Sequence, residues 1–199
     1  MRLEMPTVTT AHLCVRPLEL EDASDLLEVY QDPEVMLGNA GIKPITSMDG
    51  MLRFLQYGFL SYRQWGIPQA MVLERLSDGK VVGIIEYHTI REANGELGYL
   101  LAQNAWRQGL MSEAMEVMVY LGFTYLHLHR IEAQYDPKNI ASEKLLQKNG
   151  FVKEGCLRQV MMLNDDTYHD LILCSKLYEE YDETLYKAID IEYPKEDVV

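Results

Sequence analysis

The 199-residue sequence has only three cysteines, Cys14, Cys156 and Cys174, widely spaced and with no C-x-x-C pair. This excludes a disulfide framework and the usual zinc patterns. Each thiol has apolar or strand-like neighbours, as a reduced, buried cysteine does. Long hydrophobic runs are also missing: the most apolar stretch, residues 117–126, is about half of what a bilayer span needs. The first residues, MRLEMPTVTTAHL, contain no apolar core of the kind a secretory signal carries, so a cytoplasmic protein is expected. No repeat, low-complexity block or Gly/Ser/Pro linker divides the chain. Basic residues are scarce, with 18 Lys and Arg against 31 Asp and Glu for a formal charge of −13. That balance disfavours general binding to nucleic acid or to anionic membranes, so neither is expected as a partner. No His/Cys/Asp cluster has ligand spacing, so no metal is expected.

What is present is ordinary globular material, 48% hydrophobic and 25% charged. A chain of this size buries roughly 70% of its unfolded surface and needs no covalent staple. The acidity is uneven: residues 178–199 hold eight acids and two bases, a net of −6. They read as a solvated acidic extension after a domain of residues 1–177.

Hydrophobic periodicity gives strands at 11–18, 69–76, 81–90, 96–101, 130–135, 152–163 and 167–177. Helices are expected at 20–31, with Asp22 as cap, at 47–65, at about 111–126, and at 142–149 before Gly150. Asp32-Pro33 starts another turn, residues 38–44 form a loop, Asp78-Gly79 centres a hairpin, and 164–166 make the last turn. The order is β-α-α-β-β-β-α-β-α-β-β, an α/β sheet of mixed sense.

Two segments carry chemistry. Residues 99–114, YLLAQNAWRQGLMSEA, take a strand through a short turn at Gly109 into an apolar helix. Amides at such a helix start lack intrahelical partners and sit at the positive end of the dipole, a seat for a phosphate. Alone, one glycine before a helix is usually only a turn. About 30 residues later, Asn139-Ile-Ala-Ser142 opens a short helix that stops at Gly150-Phe151. Alone, Asn139 and Ser142 read as caps.

The order of these segments resembles the GNAT superfamily of acetyl-coenzyme A-dependent N-acetyltransferases, and within it the RimJ/RimL branch of ribosomal-protein N-terminal acetyltransferases. The resemblance covers roughly residues 12–177. It rests on Arg16-Pro17-Leu18, Asp32-Pro33-Glu34-Val35, Val82-Gly83-Ile84 and Glu96-Leu97-Gly98-Tyr99. It rests further on Trp106 through Ala114, Asn139-x-x-Ser142, Lys148-Asn149-Gly150-Phe151, Glu154-Gly155-x-Leu157-Arg158 and Asp170. The family's pyrophosphate loop, Q/R-x-x-G-x-G/A, reads here Trp106-x-x-Gly109-x-Met111. Met111 is a departure whose side chain must point away from the ligand.

The resemblance implies a central mixed, mostly antiparallel sheet splayed between its strands 4 and 5 and flanked by helices. Acetyl-CoA is the implied cosubstrate, held by Leu100, Leu101, Trp106, Arg107, Gln108, Gly109, Leu110, Met111 and Ser112, with Asn139 and Ser142 near the pantetheine arm. For the general base Glu96 ranks first, just before the cofactor strand, and Glu86, a charge amid apolar residues, second; each otherwise reads as a surface carboxylate. Ser142, with Tyr135 as alternative, ranks as the acid. His88, His127, His129 and His169 each read first as structural. The implied acceptor is an amine: a protein N-terminal α-amine, or alternatively a polyamine or aminoglycoside. Residues 38–65 would form the acceptor wall, with Met48, Met51, Phe54, Tyr57 and Tyr62 as lining. A homodimer is compatible with the resemblance. The rival reading is an acyl-CoA-binding regulatory module without turnover, favoured only by Met111.

Overall fold

The computed structural model describes residues 3–37, 42–162, 166–186 and 190–194. Its strands are β1 (Thr7–Thr9), β2 (Leu13–Pro17), β3 (Met71–Arg75), β4 (Lys80–Arg91), β5 (Asn94–Leu101), β6 (Arg130–Tyr135), β7 (Val152–Met162), β8 (Tyr168–Leu177) and β9 (Asp190–Glu192). They form one sheet in the order β7-β8-β6-β5-β4-β3-β2-β1-β9. Every pairing is antiparallel except β5 with β6, which is parallel.

Helices cover both faces. On one lie α1 (Ala23–Tyr30), α2 (Pro33–Met36) and α3 (Met48–Tyr57), packed on Val72, Val81 and Ile84. On the other lies α4 (Leu110–Tyr120), packed on Leu13, Val15, Leu73, Ile85 and Tyr87, with α5 (Ile140–Lys148) beside it. Strands covered on both faces lose polar alternation, which is why residues 81–85 of β4 are buried without a break. Tyr87 crosses this core and donates its hydroxyl to the Met118 carbonyl at 2.8 Å.

The parallel pair positions the site. β5 and β6 pair only from Asn94↔Arg130 to Leu97↔Ala133. Beyond that point β5 stays with β4, through Leu101↔Gly83, while β6 stays with β8, through Tyr135↔Ile172. The two strands therefore part, and a cleft opens through the sheet.

Several sequence expectations need correction. Asp22 is the N-cap residue of α1, as expected, but its side chain bonds none of the α1 amides. Its carboxylate instead takes two bonds from Arg16, at 2.7 and 3.0 Å, and one from the Glu19 amide at 2.8 Å. Buried, it is more stabilised by a guanidinium than by helix amides. The helix expected over 47–65 ends at Tyr57, and a 3₁₀ segment, Phe59–Trp65, continues after Gly58. The one expected over 111–126 becomes α4 followed by a π turn, Leu121–Tyr125. Strands β1 and β9 were not foreseen. The loop at 38–44 and the turn at 164–166 fall largely outside the described residues.

The acidic segment after residue 177 does not stand free over its described residues. Tyr186 stacks on Tyr120 with ring centroids 4.4 Å apart, Tyr181 packs on Phe123, and β9 pairs with β1. The acids at 179, 180, 182, 183, 190 and 192 are all exposed, while Tyr181, Tyr186 and Ile191 pack inward. A charge count hides this, because the anchors are tyrosines spaced between the acids.

Candidate active site

The turn before α4 is built from backbone. Arg107 has φ +61° and Gly109 φ +83°, left-handed conformations that aim successive amides the same way. The Gly109 carbonyl accepts from the Glu113 amide at 3.1 Å. The amides of residues 107–112 have no acceptor among the described residues. Six free donors at the positive end of a helix fit the phosphates of a nucleotide cofactor. No atom lies within 4 Å of where a Cβ on Gly109 would sit, so the cradle is open there. Flanking bonds hold the turn: Trp106 Nε1 donates to the Leu101 carbonyl at 2.8 Å, and Gln108 Nε2 to the Asn104 carbonyl at 2.7 Å.

Met111, the departure from the loop pattern, is buried in the core beneath α4, so its side chain leaves the amides uncovered. Ser112 likewise turns inward, its hydroxyl 3.4 Å from Asn149 Nδ2. Only their backbones face the cradle. Arg107 is exposed.

From this turn the cleft leads inward between β5 and β6. The Ala102 amide donates to the Val82 carbonyl at 2.8 Å. By strand alternation Leu100 faces β4 as well, and the backbone groups of Tyr99 and Leu101 face the gap. A strand edge with no partner can pair with an extended amide chain, and the pantetheine arm of coenzyme A is one. On the far side Asn139 caps α5, its Oδ1 accepting from the Ser142 amide at 3.0 Å.

The cleft ends in a cavity of about 470 Å³. Glu86, Glu96, Leu100, Tyr135, Asn139 and Ser142, each expected from the sequence, all line it. The loop residues 106–112 do not; they sit at the cleft's other end. Met48 and Tyr57 are exposed and Met51 lies in the core, so of the five expected lining residues Phe54 and Tyr62 reach the cavity, joined by Ile42, Gly58 and Phe59 from the same expected wall and by Tyr30. His127 and His129 are exposed and away from it. His169 is paired with Asp136, which lines it.

The two glutamates differ sharply. Glu96 accepts from Gln134 Nε2 at 2.8 Å and lies 3.4 Å from His88 Nε2. His88 holds its pKa below the ordinary value, against the effect of burial. Glu86 faces Tyr30 and Tyr62, and its Oε2 is buried with no partner among the described residues. Burial pushes it up to about 7, with Tyr62 and His88 drawing it partly back. A group near 7 can take and release a proton at neutral pH; a depressed carboxylate is a weak base.

Sequence reasoning missed Tyr30, Gly98, Tyr99, Gln134 and Asp136. Gly98 had a signal: a glycine inside a strand marks close approach. A Cβ there would lie 3.0 Å from His88 Nδ1 and 3.1 Å from Glu86 Oε1. Tyr99 has a buried hydroxyl without a partner among the described residues, and burial raises it to about 12.

Among the described residues no helix is long and apolar enough to cross a membrane, and no group of three or more His, Cys, Asp or Glu is placed to hold a metal.

The sequence matches the family described as Acetyltransferase (GNAT) domain over residues 12–152. It is 36% identical over 157 residues, 77% of this chain and 86% of the other, to the uncharacterized N-acetyltransferase p20 of Bacillus licheniformis. The fold superposes on the ribosomal-protein-S5-alanine acetyltransferase of Vibrio fischeri with TM-score 0.75 and 26% identity, covering 88% of this chain and 98% of that one. It also superposes on the spermidine N-acetyltransferase of Vibrio cholerae, solved with CoA and spermine, with TM-score 0.73 and 22% identity, covering 85% and 97%. The family match over residues 12–152 and the relative 36% identical over 77% of the chain show that the chain belongs to the GNAT acetyltransferase family.

Proposed function

We propose that this N-acetyltransferase acts on a protein N-terminal α-amine, with Glu86 as general base. The observation that carries the proposal is a single carboxylate lifted to about 7 and aimed into an aromatic-walled cavity. An amine attacks only when neutral. An α-amine titrates at about 7.7–8.0 and a lysine-type amine at about 10.4. At about 1.4 kcal/mol per pKa unit, moving a proton to Glu86 costs about 1.4 kcal/mol from the first and roughly 4.6 kcal/mol from the second. The site is tuned to the first. This ranking reverses the sequence expectation, which put Glu96 ahead.

Acetyl-CoA supplies the activated acetyl group. Six amides and the edge of β5 would hold its phosphates and arm. Glu86 takes the proton of the amine. Ser142 and Tyr99, beside Tyr135 on the cleft wall, are hydroxyls able to return a proton to the departing thiolate. Tyr99, whose buried hydroxyl is influenced by Ser142, joins the two acids expected from the sequence.

A second reading has its own observation. Three carboxylates, Glu86, Glu96 and Asp136, line the cavity, which suits a small polycation, and one fold neighbour is a spermidine acetyltransferase. The regulatory module without turnover loses its only support, since Met111 points into the core. Thiol release from acetyl-CoA separates the two acceptors. A peptide with a free N-terminus is expected to turn over faster than spermidine or than the same peptide with a blocked N-terminus and a free lysine. Preference for spermidine establishes the second reading instead.

A further inference from the structure

The proposed base lies deep in the cavity. Glu86 is walled by Tyr30, Phe54, Phe59 and Tyr62; its Oε2 has no partner among the described residues, while the residue as a whole is half-buried and the Tyr62 hydroxyl bears on its charge. Each turnover would leave a proton on it that has to reach solvent.

One exit is visible. The register of β4 against β5 slips between Tyr87↔Leu97 and Thr89↔Glu96, so His88 is the extra residue of a β-bulge. Bulges re-aim side chains and gather beside active sites. This one sends His88 over Gly98, where its Nδ1 and Glu86 Oε1 approach the same point, 3.0 and 3.1 Å from a Cβ that glycine lacks. The opposite ring nitrogen, Nε2, faces Glu96 Oε2 at 3.4 Å, and Glu96 is fixed by Gln134. The side chains of His88 and Glu96 are 36% and 26% exposed, so the far end of this file reaches solvent.

We infer that His88, oriented by Glu96, is the relay that returns the proton of Glu86 to solvent, and that Gly98 is glycine to leave room for it. The inference rests on Glu86 as the base. The amine's proton converts the Glu86 carboxylate to the acid. The two side chains flank the space over Gly98 without touching, so the acid passes the proton through a water there to Nδ1 of neutral His88, giving imidazolium. The imidazolium releases the Nε2 proton to water beside Glu96 and regains its tautomer by exchange. The net change is one proton delivered to solvent, with both side chains restored.

The groups facing these residues agree. Burial lowers the pKa of His88, but Glu96 and Glu86 more than offset that and raise it above its usual value. Tyr62 and Tyr30 are the titratable neighbours of Glu86, and Arg91 that of Glu96.

The test uses the full chain at saturating acetyl-CoA and peptide, with and without added imidazole. His88→Ala is expected to lose about tenfold or more in kcat, with the KM for acetyl-CoA unchanged, and to recover as imidazole enters the space left. His88→Gln is expected to show the same loss without recovery, because its side chain fills that space. An unchanged kcat in His88→Ala, or a loss that imidazole does not relieve, overturns the relay. Glu86→Gln is the control for the base: full turnover there removes the base itself, whereas a dead Glu86→Gln beside a fully active His88→Ala removes the relay alone. Should the His88 variants fail to fold, Glu96→Gln reads the same pair. Its kcat is expected to fall, with the pH profile displaced, and an unchanged kcat overturns the proposal.

Discussion

The two ends of the cleft are made in different ways. The cradle at residues 107–112 is one contiguous piece of backbone, and its chemistry is that of amides with no acceptor. The cavity is made of side chains from β4, β5, β6, α3 and the 3₁₀ segment after it, brought together only by the sheet. The cradle therefore tolerates changes of side chain, as Met111 and Ser112 show by pointing inward. The cavity depends on the identity and environment of single groups. Glu86 and Glu96 lie on one sheet face, yet one is raised toward neutrality and the other lowered.

Substitutions sharpen this contrast, and the largest effect belongs to the cavity. Glu86→Gln is expected to lower kcat by about 10²–10⁴-fold, the usual worth of a general base, with little change in acetyl-CoA affinity. The same substitution is expected to raise stability above pH 7. The Glu86 pKa is higher folded than unfolded, so its stabilising protonated form is lost as pH rises from 4.5 through about 7. At about 1.4 kcal/mol per unit, the buried charge costs roughly 3 kcal/mol above that range. Denaturant unfolding at pH 8 checks this. A variant both slower and more stable marks a group held for function, whereas a slower and less stable one marks a structural carboxylate.

The cradle should break in the opposite sense. Gly109→Ala places a Cβ at φ +83°, a strain of about 1–2 kcal/mol, beside the phosphate seat. It is expected to raise the KM for acetyl-CoA by about tenfold and to leave kcat nearly unchanged at saturation. A fall in kcat with KM intact would place Gly109 in the chemistry instead.

The same division sets what the sequence could reveal. The cradle was legible because it is local: strand, turn, glycine and helix follow in one stretch. So was β6, expected and found at Arg130–Tyr135. The order of the two glutamates was not legible, because the raising of Glu86 depends on rings from α1, α3 and the segment after it. His88 could be read as a histidine but not as a bulged residue, since a bulge exists only against a partner strand. The edge strands were missed for a similar reason. β1 and β9 are three residues each, too short for periodicity, and are fixed by each other. The docking of residues 178–186 was hidden by acids that face outward while tyrosines between them pack on α4 and the π turn.

The central claim is that Glu86 acts as base at a pKa near neutrality, and kcat against pH tests it most directly, with acceptor and acetyl-CoA saturating. A base works when deprotonated, so kcat is expected to be full above about 7 and to fall below it, with a midpoint near 7. In Glu86→Gln that acid limb is expected to vanish along with most of the rate. A limb near an ordinary carboxylate value of about 4.3, or one near 7 that survives in Glu86→Gln, contradicts the account.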